Sequence, residues 1–407
     1  FSYFFDFISR KENSNVHESI EAWKDTLSSW PYDYKHARQS SNPSAHPLAP
    51  VATHALVEMD QLDNNWQYSD LGYGRVAVRN PKKNEWTFLL PPDLSSAESI
   101  LGLDGTPNQT LWEIVLDEQM QSLPLLNEVE REAYLRDVLG YCFIQTTERW
   151  KPIQGDKGAS PPKDLALIEG INQNECQSLA LISSQKAIGQ YEREGLDELT
   201  NTTEHYGNLK GMNDFEKERL GLVLGCPFPQ DDEIEKWAAL AGESAKRKEV
   251  NGEKVRGPRT DFGAFGNGVM HTLVHDEVLQ AAMRFGREEE NGTRGATVFL
   301  HTSAIPDWLP VDKRIADIHS WITEKNGMRD TIEAIRSLEK WKYEVWSATA
   351  LYDHTSISKR RVRVCLGDLA DEGYIEFEGK WGQGTPKYYT NICLEDAGRF
   401  GHVEFSE

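Results

Sequence analysis

Cysteine is scarce and scattered in this chain: Cys142, Cys176, Cys226, Cys365 and Cys393 stand far apart, with no C-x-x-C pair and no histidine at zinc-finger spacing. An odd, dispersed set excludes a disulfide framework and predicts a reduced compartment and no structural metal, each thiol being read as a small buried apolar residue. Long apolar runs are missing too, none approaching the roughly 20 residues of a membrane span. The greasy start, Phe1 to Ile8, is short, has no basic stretch before it and is followed by charge. It does not read as a signal peptide, and the expectation is a cytoplasmic protein with no membrane partner. Positive charge is the third shortage: 44 Lys and Arg against 65 Asp and Glu leave a formal net charge of -21. A nucleic acid would have to meet a local basic patch rather than the field of the whole protein. The same surplus of acid suits work in concentrated salt, as in a halophilic source, although many mesophilic acidic proteins reach similar values. What is present, 39% hydrophobic and 27% charged residues in 407, is the composition of a globular chain. At roughly 150 residues per domain it predicts two or three domains.

Residues 1–85 read as an accessory helical or irregular region, except that Arg75–Arg79 and Trp86–Leu90 flank Asn80-Pro81-Lys82-Lys83-Asn84 as a hairpin would. The run Ser99–Asp104, stopped by Gly105-Thr106-Pro107, predicts a buried strand feeding a helix through Leu111, Trp112, Val115 and Leu116. The breakers of Gln154–Lys163 predict a domain boundary. Beyond it, continuous apolar strands at Ser178–Ile182, Leu220–Leu224 and Ala296–Leu300 alternate with helices from Gln185 and over Leu273–Arg287. This predicts an α/β domain over 164–310, a parallel sheet with helices on both faces. Glu243–Arg259 reads as a charged, mobile insertion, and Ile305–Pro310 as a second linker.

In 326–400 the pattern predicts helices at Met328–Tyr343 and Val345–Asp353, and a third capped by Ser358 and running to Gly373. On the third, Val362, Cys365, Leu366 and Leu369 share one buried stripe, while Arg360 points away with Arg361 and Arg363 on its flanks. Strands at Tyr374–Glu378 and Lys387–Thr390 follow, around a loop containing Lys380. Three helices and a hairpin make an α+β winged helix-turn-helix. Its basic residues, Lys359, Arg360, Arg361, Arg363 and Lys380, suit phosphates or guanine edges of duplex DNA. The competing reading is a protein-binding module with a solvated basic face.

In the central region Gln280, Arg284 and Arg287 stand at i, i+4 and i+7, a polar stripe beside Leu279, Ala282, Met283 and Gly286. Guanidinium groups on a rigid element suit a polyphosphate, although a solvated arginine face gives the same bare pattern. Gln280-x-x-x-Arg284-x-Gly286-Arg287 resembles motif VI of superfamily 2 DNA helicases of the XPD/DinG-like kind. Leu103-Asp104-Gly105-Thr106-Pro107 is similar to motif III, Leu179–Tyr191 with its turn Ser183-Ser184-Gln185-Lys186 to motif IV, and Gly207–Phe215 followed by Leu222–Pro229 to motif V. The wording is also close to helicase-like proteins of haloarchaea and their plasmids or viruses. The resemblance covers about Ser99 to Leu309, and only motif VI is individually sharp.

That resemblance implies a second RecA-like motor domain over 164–310, with 86–153 the remnant of a first. Arg284 and Arg287 would reach the γ-phosphate of ATP held by the first domain, and Gln280 would orient them or a water. Asp104, Thr106, Asn213 and Asp214 would border the nucleotide; Ser184, Gln185, Asn208 and Lys210 would touch a single DNA strand in the motor cleft. The chain departs from the family in having no G-x-x-x-x-G-K-[ST] and no Asp-Glu pair at a strand end ahead of Asp104. ATP and Mg would therefore be bound only together with a motor half upstream of Phe1, and this chain alone is not expected to hydrolyse ATP. Gly263–Gly268 reads as a flexible loop, His271 and His275 as packing or surface residues, and the bases between Lys246 and Arg259 as a DNA-facing loop or a solvated tether. The rival functions are a non-enzymatic DNA-binding replication or transcription factor on a degenerate RecA-like scaffold, and a protein-interaction adaptor.

Overall fold

The computed structural model describes residues 55, 59–80, 82–153, 157–289, 294–321, 327–341, 343–380 and 386–406. These fall into two compact units, one of the residues up to Pro124 with Pro229–Thr272, the other of Leu125–Phe228 with Leu273–Glu407. Among the described residues no helix is long and apolar enough to cross a membrane.

The first unit carries a four-stranded antiparallel meander of Asp60–Gln61, Gln67–Asp70, Val76–Asn80 and Glu85–Leu89. The predicted hairpin is there, with Asn84 in the left-handed region at its turn (φ 55). Strands at 60–70 replace the expected helical or irregular structure. Gln67–Asp70 is too polar to show a pattern and is held by its ladder to the fully buried Val76–Asn80. Helix Asp231–Leu240 covers the sheet through Ala239 and Leu240 against Trp66, Val76 and Val78. The run Ser99–Asp104 is not a buried strand: Leu101 and Leu103 are 81% and 85% exposed, and regular structure resumes only at helix Gln109–Leu116. The run's three apolar residues, Ile100, Leu101 and Leu103, are interrupted by Gly102 and pair with no strand among the described residues. Glu243–Arg259 is anchored rather than mobile, because Arg247 and Lys254 both pair with Asp231 and the Arg247 guanidinium lies 5.2 Å over the Phe262 ring. Gly263–Gly268 belongs to helix Gly263–His271, not to a loop.

The second unit is built on a parallel sheet. Its elements are β1 (Cys142–Gln145), α1 (Pro161–Glu175), β2 (Leu179–Ser183), α2 (Gln185–Glu192), β3 (Thr200–His205), β4 (Leu220–Leu224), α3 (Glu277–Ala282), β5 (Thr297–His301) and β6 (Val311–Lys313). The strand order is β6-β1-β5-β4-β2-β3 and every pairing is parallel. The α/β class with helices against a parallel sheet is therefore found. Every residue of β2 and β4 is buried, which is why both read as unbroken apolar runs. The breaker-rich stretch before α1 connects β1 to the rest of the same sheet, with Pro161 and Pro162 forming the first helical turn. Ile305 and Leu309 are buried, and β6 extends the sheet after them. Neither proposed linker separates the sheet from its neighbours.

Past the sheet come β7 (Ile315–Ser320), α4 (Met328–Lys340), β8 (Val345–Ser347), α5 (Ala348–Tyr352), α6 (Lys359–Asp371), β9 (Ile375–Lys380), β10 (Lys387–Asn391) and β11 (Gly401–Ser406). Strands β7 and β11 form an antiparallel ribbon whose Ala316, Ile318, Val403 and Phe405 pack on the core beneath α1. Strands β8-β10-β9 form a second antiparallel sheet against α4, α5 and α6. The helix expected over Val345–Asp353 begins as strand, since Val345 and Trp346 pair with Thr390 and Tyr389, and Ser347 then caps α5. Ser358 caps α6 by accepting from the Arg361 N–H, and Val362, Cys365, Leu366 and Leu369 are wholly buried, as the stripe predicts. The tip of the β9–β10 connection, 381–385, lies outside the described residues.

A carboxylate–arginine network ties α4 to the parallel-sheet core. Glu169 of α1 accepts from the Arg399 and Phe400 N–H groups at 2.6 and 2.8 Å. Arg399 pairs with Glu198 and donates to Glu333 of α4 at 2.8 Å, and Arg329 donates to the same Glu333 oxygen at 3.2 Å. Burial pushes the Glu333 carboxyl up, but the hydrogen bonds from Arg399 and Arg329 outweigh it and hold the group below its usual range. A depressed carboxylate contributes stability above the unfolded value of about 4.3 and loses it as pH falls through the folded value. Thermal unfolding of Glu333→Gln is expected to show a lower midpoint than the parent at pH 7, the difference shrinking below about pH 4.3 and vanishing only once the pH has fallen through the depressed folded value.

Candidate functional site: the arginine turn and the basic helix

Helix α3 stops at Ala282, preceded by a π-helical turn at Thr272–Asp276. The predicted helix through Arg287 is thus cut short, and the three polar residues do not form one helical stripe. Gln280 lies exposed on α3, whereas Arg284 and Arg287 sit on the turn after it. The break is steric: Gly286 has φ +62, and a Cβ there would lie 2.1 Å from Gly295 O. Gly295 in turn would meet Gly140 O at 2.2 Å, so three glycines let the turn press against the segments entering β5 and β1. Gly286→Ala is expected to cost about 2–3 kcal/mol in urea unfolding, because the obstacle is backbone and cannot rotate aside.

Main-chain contacts fix this turn at the N-terminal edge of the sheet. Gly286 N donates to Phe215 O at 3.3 Å and Glu288 N to Glu216 O at 2.9 Å. Phe285 is fully buried, edge-on to Phe215 with centroids 5.3 Å apart, and a Cβ on Gly221 in β4 would strike its ring at 2.7 Å. The Arg219 guanidinium donates to Gly286 O (3.1 Å), Gly295 O (2.9 Å) and Glu288 O (2.7 Å). The Tyr141 hydroxyl lies 2.8 Å from Phe285 O and 3.2 Å from Met283 O. Sequence reasoning missed Arg219 and Tyr141; Gly140, Gly286 and Gly295 were the available signal of a tight backbone approach.

The two turn arginines differ. Arg284 is half-buried, and its Nε has no hydrogen-bond partner among the described residues. Burial, then the neighbouring Arg287 charge, draws its guanidinium below the ordinary value, opposed by Glu277. Arg287 is exposed, with Nε donating to Met283 O at 2.7 Å. Asn213 and Asp214, both exposed, directly precede Phe215 and so come beside this turn. Asp104 and Thr106 lie in coil of the first unit, where the exposed Asp104 accepts from Thr106 N at 3.0 Å and from the Trp112 indole at 3.2 Å.

Ser184, Gln185, Asn208 and Lys210 gather at the opposite edge. Ser184 follows β2 and caps α2, Gln185 is exposed on its first turn, and Ser183 Oγ donates to Leu224 O at 2.9 Å. Past the neighbouring β3, Asn208 donates to Glu204 at 2.9 Å and Lys210 is exposed. A five-residue strand at about 3.3 Å per residue puts this edge roughly 15 Å from the arginines. Between β1, β5 and β4 the same edge is closed. There Thr302 Oγ1 donates to Trp150 O at 2.5 Å, and His301 Nδ1 lies 2.8 Å from Thr146 Oγ1, with burial pushing the imidazole well below its usual value. Asp164, wholly buried, accepts from Tyr191 OH at 2.6 Å and pairs with Lys151.

On α6, Arg360 and Arg363 are exposed on the face shared by Val364, which is 43% exposed. Lys359 is half-buried, and Arg361 leans toward Gly327, where a Cβ would lie 3.3 Å from its Cγ. Lys380 ends β9. The free positive face is thus narrower than four consecutive bases suggest. Among the described residues no group of three or more His, Cys, Asp or Glu side chains is arranged to hold a metal ion. Compared with protein-family models, curated proteins and solved structures, the chain finds no match.

Proposed function

We propose that this chain is the C-terminal part of an ATP-dependent DNA helicase or translocase, in which the parallel-sheet unit serves as the second, RecA-like motor domain. The observation that carries the reading is the turn bearing Arg284 and Arg287, built by main-chain contacts and holding an Arg284 Nε without a partner. A guanidinium cannot shed its charge, so it suits the negative charge that moves to the β–γ bridge oxygen during phosphoryl transfer. Arg287 is the finger, Arg284 its neighbour, and Asn213 and Asp214 border the same ligand. ATP and Mg belong to a partner motor half, since the phosphate loop is missing from this sequence.

A single DNA strand is placed against Ser184, Gln185, Asn208 and Lys210 at the far edge. Helices α4 to α6 with β8–β10 act as a winged helix that grips duplex through Lys359, Arg360 and Arg363. The closed centre of the C-terminal edge favours the second reading, a DNA-binding factor on a RecA-like scaffold. DNA-stimulated ATP hydrolysis by the complete natural polypeptide separates the two. Hydrolysis that depends on Arg287 supports the motor, whereas duplex binding with no hydrolysis supports the scaffold.

A further inference from the structure

The arginine turn has no regular secondary structure of its own, yet its carbonyl groups are spoken for. Arg219 takes Gly286 O, Glu288 O and Gly295 O, and the single Tyr141 O–H is shared between Phe285 O at 2.8 Å and Met283 O at 3.2 Å. Both residues stand at strand entrances, Arg219 one residue before β4 and Tyr141 one before β1, so the sheet itself fixes where they point. A planar fork of donors can span several acceptors at once, which an ammonium on a flexible stem cannot do in fixed geometry. We infer that Arg219 and Tyr141 are positioning residues that hold Arg284 and Arg287 in the conformation from which they reach phosphate, Arg219 being a brace and not a third finger. The inference rests on the helicase reading and adds to it the parts that set finger geometry. The closeness of these groups also shows in Tyr141, whose hydroxyl burial pushes up while Arg287 and Arg219 pull it down.

The test uses the complete natural polypeptide and its DNA-stimulated ATPase. Tyr141→Phe and Arg219→Lys are made singly and each together with Arg287→Ala. Tyr141→Phe keeps the ring stacked on Phe143, 5.3 Å away, and removes only the hydroxyl. It is expected to lower kcat about fivefold, the worth of one hydrogen bond, and Arg219→Lys about tenfold or more. KM for ATP stays within about twofold, and each change slows the Arg287→Ala enzyme less than it slows the parent, because one of the two guanidinium groups it positions is gone. If Arg287→Ala is slow but either single change leaves kcat intact, or its loss multiplies with that of Arg287→Ala, the positioning role is overturned and the finger stands. If Arg287→Ala hydrolyses ATP at the parent rate, the finger reading falls and the brace with it. Should Arg219→Lys fail to fold, Tyr141→Phe carries the test alone.

Discussion

Replacing Arg287 by Ala is expected to lower kcat for DNA-stimulated ATP hydrolysis by about 10³-fold or more, with KM for ATP little changed. The split between the two constants follows from when the guanidinium acts. A finger that meets charge only as the bond to the leaving phosphate lengthens contributes to the transition state and not to ground-state binding. Arg287→Lys should recover little, since a point charge on a mobile stem replaces a fork whose Nε is already fixed on Met283 O at 2.7 Å. Steady-state kinetics on the complete polypeptide decide the matter, and an unchanged kcat would move the assignment to the scaffold reading. Arg284→Ala should be nearly as severe.

The second large effect belongs to α6. Arg360→Ala combined with Arg363→Ala is expected to weaken duplex binding across all sequences and to flatten the slope of log affinity against log salt by about 2, at roughly 0.9 for each phosphate no longer neutralised. Wild type loses more affinity with salt than the variant, so the gap between them narrows about tenfold between 50 and 200 mM salt. Fluorescence anisotropy with a labelled duplex reads both quantities. Arg361→Ala provides the contrast: leaning toward Gly327 and half-buried, it should lower stability more than it changes the salt slope. If the double variant keeps the parent's affinity and slope, the basic face serves a protein partner.

What could be read from sequence followed burial. Strands β2 and β4 lie inside the sheet and must be apolar on both faces, so their residues announce them. Helix α6 shows its core stripe because it has one wet face and one dry one. Strand β3, Thr-Asn-Thr-Thr-Glu-His, is an edge with no fully buried residue and carries no pattern. Strand β1 is four residues ending in a glutamine and is held by neighbours far along the chain. At the arginine turn the residues stand out in the sequence but their geometry does not, because the helical period reads on past Gly286, whose positive φ ends it. Arg219 could not be assigned because the carbonyls it holds lie 67 to 76 residues downstream.

The route of the chain through the parallel sheet sets the order in which this unit can assemble as it is made. Strand β1 has no partner until β5 arrives, since Cys142 pairs with Thr297, and the chain leaves the unit at Phe228 and returns only at Leu273. Such distant pairings form slowly, and apolar strands that wait for them are open to association with other chains. The last seal is β11, where Val403 fits against Gly170 of α1 so closely that a Cβ on that glycine would lie 2.9 Å from it. A ribosome must therefore release the chain as far as Ser406 before this sheet can shield its own core.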